Sequence, residues 1–138
     1  MNISVNWLGT DQHMEATNEE GGSIRMDGTT SIGGLEGGMS PMQLLLAGIG
    51  GCSSIDVLSI LSKQKQEVEK LDVEVKADKQ KVENSFSVFK TIHMHFILEG
   101  DLNPKKVERA LKLSITKYCS VSKALEKSSE ISYDYEIR

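Results

Sequence analysis

Two cysteines, two prolines, one tryptophan, three tyrosines and three phenylalanines are all that 138 residues hold of these types. Two cysteines cannot staple a small disulfide scaffold, so stability has to come from a packed core. A basic excess is also missing. The formal net charge is −4, and lysines are scattered apart from short stretches such as Lys105-Lys106. That excludes a nucleic-acid binder relying on a positive field. The first residues, Met1 to Trp7, show no basic stretch leading into an apolar one, so no secretory signal is expected and the chain reads as cytoplasmic. Internal repeats and linkers are absent too. With 38 % hydrophobic and 26 % charged residues, the composition is that of a globular protein, and one domain over 1–138 is expected.

One apolar run is long enough to be tested as a membrane span: Met42 to Leu61, about 20 residues. It contains Gln43, Ser53, Ser54, Asp56 and Ser59. A carboxylate and a polar cluster favour a buried helix over a span, and no membrane partner is expected. Ser40-Pro41-Met42-Gln43 marks its start, with Ser as N-cap, Pro at the first helical position and Gln closing a capping box. Being apolar nearly all round, the helix should occupy the centre of the fold. Gly50-Gly51 offers a place for it to break. Before it, Ile32 to Gly38 carries four glycines without phosphate-loop spacing, which reads as a loop.

Alternation places strands elsewhere. Ile3, Val5 and Trp7 form one, a weaker run covers Gln12 to Thr17, and a short segment surrounds Ile24 and Met26. Leu71 to Asp78 alternates cleanly. Ile92, Met94, Phe96 and Leu98 face one way on a longer strand, with His93 and His95 on the other. Asn103-Pro104 caps a second helix, Ser120 or Ser122 a short third one, and Ile131 to Ile137 alternates as a last strand. Strands and helices without a regular βαβ repeat give an α+β class with antiparallel sheets.

Chemistry is sparse. His93 and His95 share a face, but no cysteine or carboxylate at matching spacing joins them, so two solvated histidines are expected. His13 has no evident partner. Cys52 lies among small residues in the long helix, and Cys119 follows Tyr118 near a helix end. Each is either a buried small hydrophobe or a functional thiol.

The run Gly38-Met39-Ser40-Pro41-Met42-Gln43-Leu44-Leu45-Leu46-Ala47-Gly48-Ile49-Gly50-Gly51-Cys52 resembles the central helix of the OsmC/Ohr family. Tyr118-Cys119-Ser120-Val121-Ser122-Lys123-Ala124-Leu125 resembles that family's second cysteine motif. The likeness covers nearly the whole chain and points within the family to the YhfA-like branch. It implies an intertwined homodimer with the Cys-bearing central helices packed together. It further implies a thiol-dependent peroxidase for organic hydroperoxides, serving oxidative-stress protection. In that scheme Cys52 attacks the peroxide and becomes a sulfenic acid, Cys119 resolves it as a disulfide, and an external dithiol restores both without any bound cofactor or metal.

The departures concern activation. The family's Glu after the helix-opening Pro is Met42 here. The family's Arg has no secure counterpart, Arg25 being the only one before Cys52. Glu36 could substitute for the missing carboxylate, and Tyr118 adjoins the second thiol. Ser120 stands where the family has Pro. Met42 in place of a carboxylate motivates the alternative: a dimeric binding module for a small hydrophobic ligand, with little or no peroxidase activity.

Overall fold

The computed structural model describes residues 1–28, 34 and 37–138. Its contacts cluster into two compact units, Met1–Leu45 and Leu46–Arg138. The first holds an antiparallel meander of β1 (Ile3–Trp7), β2 (Met14–Asn18) and β3 (Ser23–Met26). Pairing of Val5 with Ala16 and of Ala16 with Ile24 puts the apolar side chains on one face. Within this unit most of that face is uncovered, Trp7 being 61 % exposed.

Helix α1 (Pro41–Lys63) starts as the sequence predicts. Gln43 N–H donates to Ser40 Oγ at 3.2 Å, and Ser40 N–H donates to Gln43 Oε1 at 2.8 Å. The helix does not break at Gly50-Gly51. Gly50 is there for room: a Cβ on it would stand 3.1 Å from Val75 and 3.3 Å from Val73. Nor is α1 buried on every side of this chain. Ile49, Ser53, Val57 and Leu61 are enclosed, but Ile55 is 70 % and Leu58 42 % exposed.

The second unit adds β4 (Lys70–Lys81), β5 (Ser87–Glu99) and β6 (Glu130–Ile137). Glu83 and Asn84, both at positive φ, turn β4 into β5. β5 and β6, however, run parallel, which corrects the expectation of antiparallel sheets throughout. The reason lies in the connection. α2 (Pro104–Leu113), a π-helical turn (Ser114–Tyr118) and α3 (Ser120–Leu125) stand between them, and a long helical crossover returns the chain in the same direction. Asn103 caps α2 as expected, accepting from Lys105 N–H at 3.0 Å.

The core of this unit is formed by Ile92, Met94, Phe96 and Leu98 from β5 with Val107, Ala110 and Leu111 from α2, all fully buried. Each such large side chain contributes about 1.5–3 kcal/mol on leaving water. The opposite face of the sheet is wet. There Asp134 and then Glu136 hydrogen-bond to His95 and push its imidazole above the ordinary value. The sequence left these histidines without carboxylate partners; parallel pairing with β6 supplies two.

Candidate functional site

Cys52 lies on the middle of α1, where the helix turns from core to surface, and is half-buried. Cys119 is fully buried. It ends the π-helical turn, its own N–H donating to Ser114 O at 2.7 Å. It is also the N-cap of α3, which the sequence assigned to Ser120 or Ser122. The cap is the sulfur itself, accepting from Ser122 N–H at 3.4 Å. Crossing the wide π turn re-aims the chain so that this side chain points back to α1.

The two thiols are free and adjacent. Both sulfurs and a carboxylate oxygen of Asp56 lie within 4.8 Å of one another. Asp56 is one turn beyond Cys52 on the same helix face, a spacing of four that is legible in the sequence but absent from the family motifs on which the site residues were expected. Ser114 Oγ fixes this arrangement from α2's end, donating to Ser53 O at 3.1 Å and standing 3.3 Å from Asp56 Oδ2.

The two sulfurs are electrostatically unlike. Burial lifts the Cys52 thiol, and the neighbouring Cys119 and Asp56 add to this, while Val121 N–H works the other way. Burial opposes ionisation of Cys119 as well, but there it is outweighed. The hydroxyls of Ser122 and Ser53, the Ser122 N–H and the Cys52 thiol all favour its anion, so its pKa falls below the usual thiol value. Ser53 Oγ is 3.5 Å from the Cys119 sulfur and otherwise bonds to Ile49 O at 2.7 Å. Ser122 Oγ is enclosed beside the same sulfur with no oxygen or nitrogen partner of its own. Among the described residues, the groups that set Cys52's ionisation include no cation.

The other residues named from the sequence are distributed differently. Arg25 lies on β3 of the first unit, its Nε 3.7 Å from Glu15 Oε2, both groups in contact with water. Met42 is half-buried in the first turn of α1. Glu36 lies outside the described residues. Tyr118, 52 % exposed, lines a cleft of about 440 Å³ together with Asp56, Ile60, Lys63 and Leu113. Asp56 thus joins the thiol pair to an open, largely apolar cleft. The same three donor atoms, two sulfurs and one oxygen, could hold a thiophilic metal ion.

A vicinal thiol pair set between a long helix and a helix cap, in an α+β frame, defines a dithiol protein. Comparison with known proteins gives it a family. The OsmC-like protein family matches residues 33–134. Protein YhfA of Escherichia coli K12 is 43 % identical over 118 residues, 85 % of this chain and 84 % of that one. A crystal structure of a hypothetical protein from Aquifex aeolicus VF5 aligns with a TM-score of 0.80 at 29 % identity, over 99 % of this chain and 96 % of that chain. The organic hydroperoxide resistance protein OsmC of Legionella pneumophila shares the fold, with a TM-score of 0.76 at 15 % identity over 98 % and 95 % of the two chains. The chain belongs to the OsmC-like family.

Proposed function

We propose that this protein is a thiol-dependent peroxidase that reduces organic hydroperoxides in the cytoplasm, with Cys52 as attacking and Cys119 as resolving thiol. The observation that carries the reading is the asymmetry of the pair: one sulfur reachable, the other sealed, the two within 4.8 Å. An alkyl or acyl tail has the cleft beside Tyr118 to occupy.

The steps follow from the local charges. In this scheme the Cys52 thiol, less acidic than usual, passes its proton to the Cys119 sulfur, whose anion Ser122 and Ser53 favour. As the Cys52 sulfur bonds to the terminal peroxide oxygen, the O–O bond breaks. The Cys52 proton passes through Cys119 to the departing alkoxide, giving an alcohol and a Cys52 sulfenic acid. The Cys119 thiolate then attacks the Cys52 sulfur, expelling hydroxide, which becomes water on protonation. An external dithiol reduces the resulting disulfide. A base in the form of the second thiolate takes over from the Arg–Glu pair that the family resemblance leads one to expect. Arg25, Glu36 and Met42 have no step in this scheme.

One equivalent of an organic hydroperoxide added to reduced protein should remove both titratable thiols and lower the mass by about two hydrogens. Thiols that remain titratable refute the reading. The apolar lining of the cleft also supports the second reading, a binding module for a small hydrophobic ligand. That reading expects a co-purifying ligand, negligible turnover and binding that survives Cys52→Ser.

The functional unit is a homodimer in this proposal. Ala47, Gly51, Ile55 and Leu58 form an uncovered stripe along α1, and a Cβ on Gly51 would meet nothing within 4 Å. A stripe this apolar on a central helix fits a second copy of itself. Ile55→Glu should shift the sedimentation profile to monomer. An unchanged profile, or a monomeric parent protein, removes the dimer from the proposal.

A further inference from the structure

The reduced thiol pair has a third neighbour that the peroxide scheme does not use. Cys52 and Asp56, four apart on α1, share a helix face, and the helical crossover sets Cys119 against them from the start of α3. Among the described residues, these three are the histidine, cysteine or acidic side chains whose ligand atoms all lie within 4.8 Å of one another. Their surroundings suit an anionic sulfur. Ser122 N–H donates to Cys119 Sγ at 3.4 Å, and Ser53 Oγ stands 3.5 Å from it. The fully buried Ser122 hydroxyl beside that sulfur has no oxygen or nitrogen partner. Ser114 Oγ, 3.3 Å from Asp56 Oδ2, steadies the carboxylate.

We propose that reduced Cys52 and Cys119, together with Asp56, capture a thiophilic divalent metal ion of the zinc class, and that the captured ion silences the thiol pair. Two sulfurs in the donor set select zinc over magnesium or calcium. A tetrahedral ion with Zn–S bonds of about 2.3 Å sets its two sulfurs about 3.8 Å apart. Separations within 4.8 Å close to that edge when the half-buried Cys52 and Asp56 side chains turn toward the enclosed Cys119. Two Zn–S bonds and one Zn–O bond form, both thiol protons leave to solvent, and no electron is transferred. Three negative donors repel one another when crowded, and a dication between them converts that repulsion to attraction. Asp56 also lines the cleft beside Tyr118, from which water takes the fourth position. The hydrogen bonds on Cys119 and Asp56 are the outer partners that hold metal ligands in place. With its lone pair engaged by the metal, Cys52 no longer attacks a peroxide. This consequence rests on the peroxidase reading; the binding itself does not.

The test is calorimetric titration of zinc chloride into the reduced full chain under nitrogen, with reductant removed. One ion per chain should bind saturably and be withdrawn by a chelator. Cobalt(II) in its place should show sulfur-to-metal charge-transfer absorption. Cys52→Ser, at a partly exposed position that leaves the core intact, should abolish both signals. Asp56→Asn should weaken binding by at least the roughly tenfold that loss of an outer partner costs. Absence of saturable uptake overturns the proposal, as does uptake undiminished in Cys52→Ser, which places the ion elsewhere on the chain. Affinity unchanged in Asp56→Asn overturns the three-donor site. Thiol consumption by an organic hydroperoxide, measured without metal, reports on the peroxidase reading separately. Thiols lost to peroxide at the same rate under saturating zinc overturn the silencing.

Discussion

Replacing Asp56 by Asn should make Cys52 react faster. A carboxylate oxygen of Asp56 lies within 4.8 Å of both sulfurs, and its charge opposes a Cys52 thiolate. Asn has the same shape and still offers Ser114 Oγ an acceptor at Oδ2's place, 3.3 Å away. The substitution therefore removes charge without opening a cavity. At this separation, and with nearly the screening of water at a half-buried group, the Coulomb energy is about 1 kcal/mol. That corresponds to about fivefold more thiolate. A less basic thiolate is also a weaker nucleophile, with a Brønsted slope of about 0.4–0.5, which cancels nearly half of the gain on a logarithmic scale. The net expectation is a two- to threefold faster second-order reaction (roughly, by the same slope) of the reduced protein with an organic hydroperoxide at neutral pH, followed by stopped flow. The same factor should appear with iodoacetamide, which needs no proton delivery. A slower peroxide reaction in Asp56→Asn would refute this reasoning and make the carboxylate the group that takes the Cys52 proton.

The remaining predictions concern the other thiol and the frame. Cys119→Ser should slow the peroxide reaction, since its sulfur relays the Cys52 proton, and should end what reaction remains at the sulfenic acid, detectable by trapping with dimedone, with no disulfide formed. The same variant removes the neighbouring sulfur that holds Cys52 up, so the pH profile of Cys52 alkylation should move to lower pH; a move upward would reverse the assigned direction. Gly50→Val should cost about 1–3 kcal/mol in urea unfolding, because its side chain would press on Val73 and Val75. Asn103→Ala should cost about 1 kcal/mol through loss of the α2 cap.

What the sequence disclosed and what it withheld separate along a physical line. Local signals were sound. The Ser40–Gln43 capping box, the Asn103 cap and the alternation that buries Ile92 to Leu98 all act within a few residues, and all stand in the structure. The family resemblance rested on two contiguous motifs and led to both cysteines. What stayed hidden depends on distant segments meeting. No periodicity shows that β6 lies parallel to β5, because strand direction is set by the helices between them, and on that direction depends whether Asp134 reaches His93 and His95. Nor does any spacing show Cys119 as its own helix cap, which requires the wide turn at Ser114–Tyr118. The activation question changes for the same reason. Looking for an Arg and a Glu in the flanking sequence gives Arg25 and Glu36, yet the donors that favour an anion come from Ser53 on α1 and from Ser122, 66 and 3 residues from Cys119 respectively. Hydroxyls and backbone N–H groups carry no charge to notice in a sequence. Their effect on a thiol exists only once the chain has enclosed them together, and so groups without charge can favour a sulfur's anion.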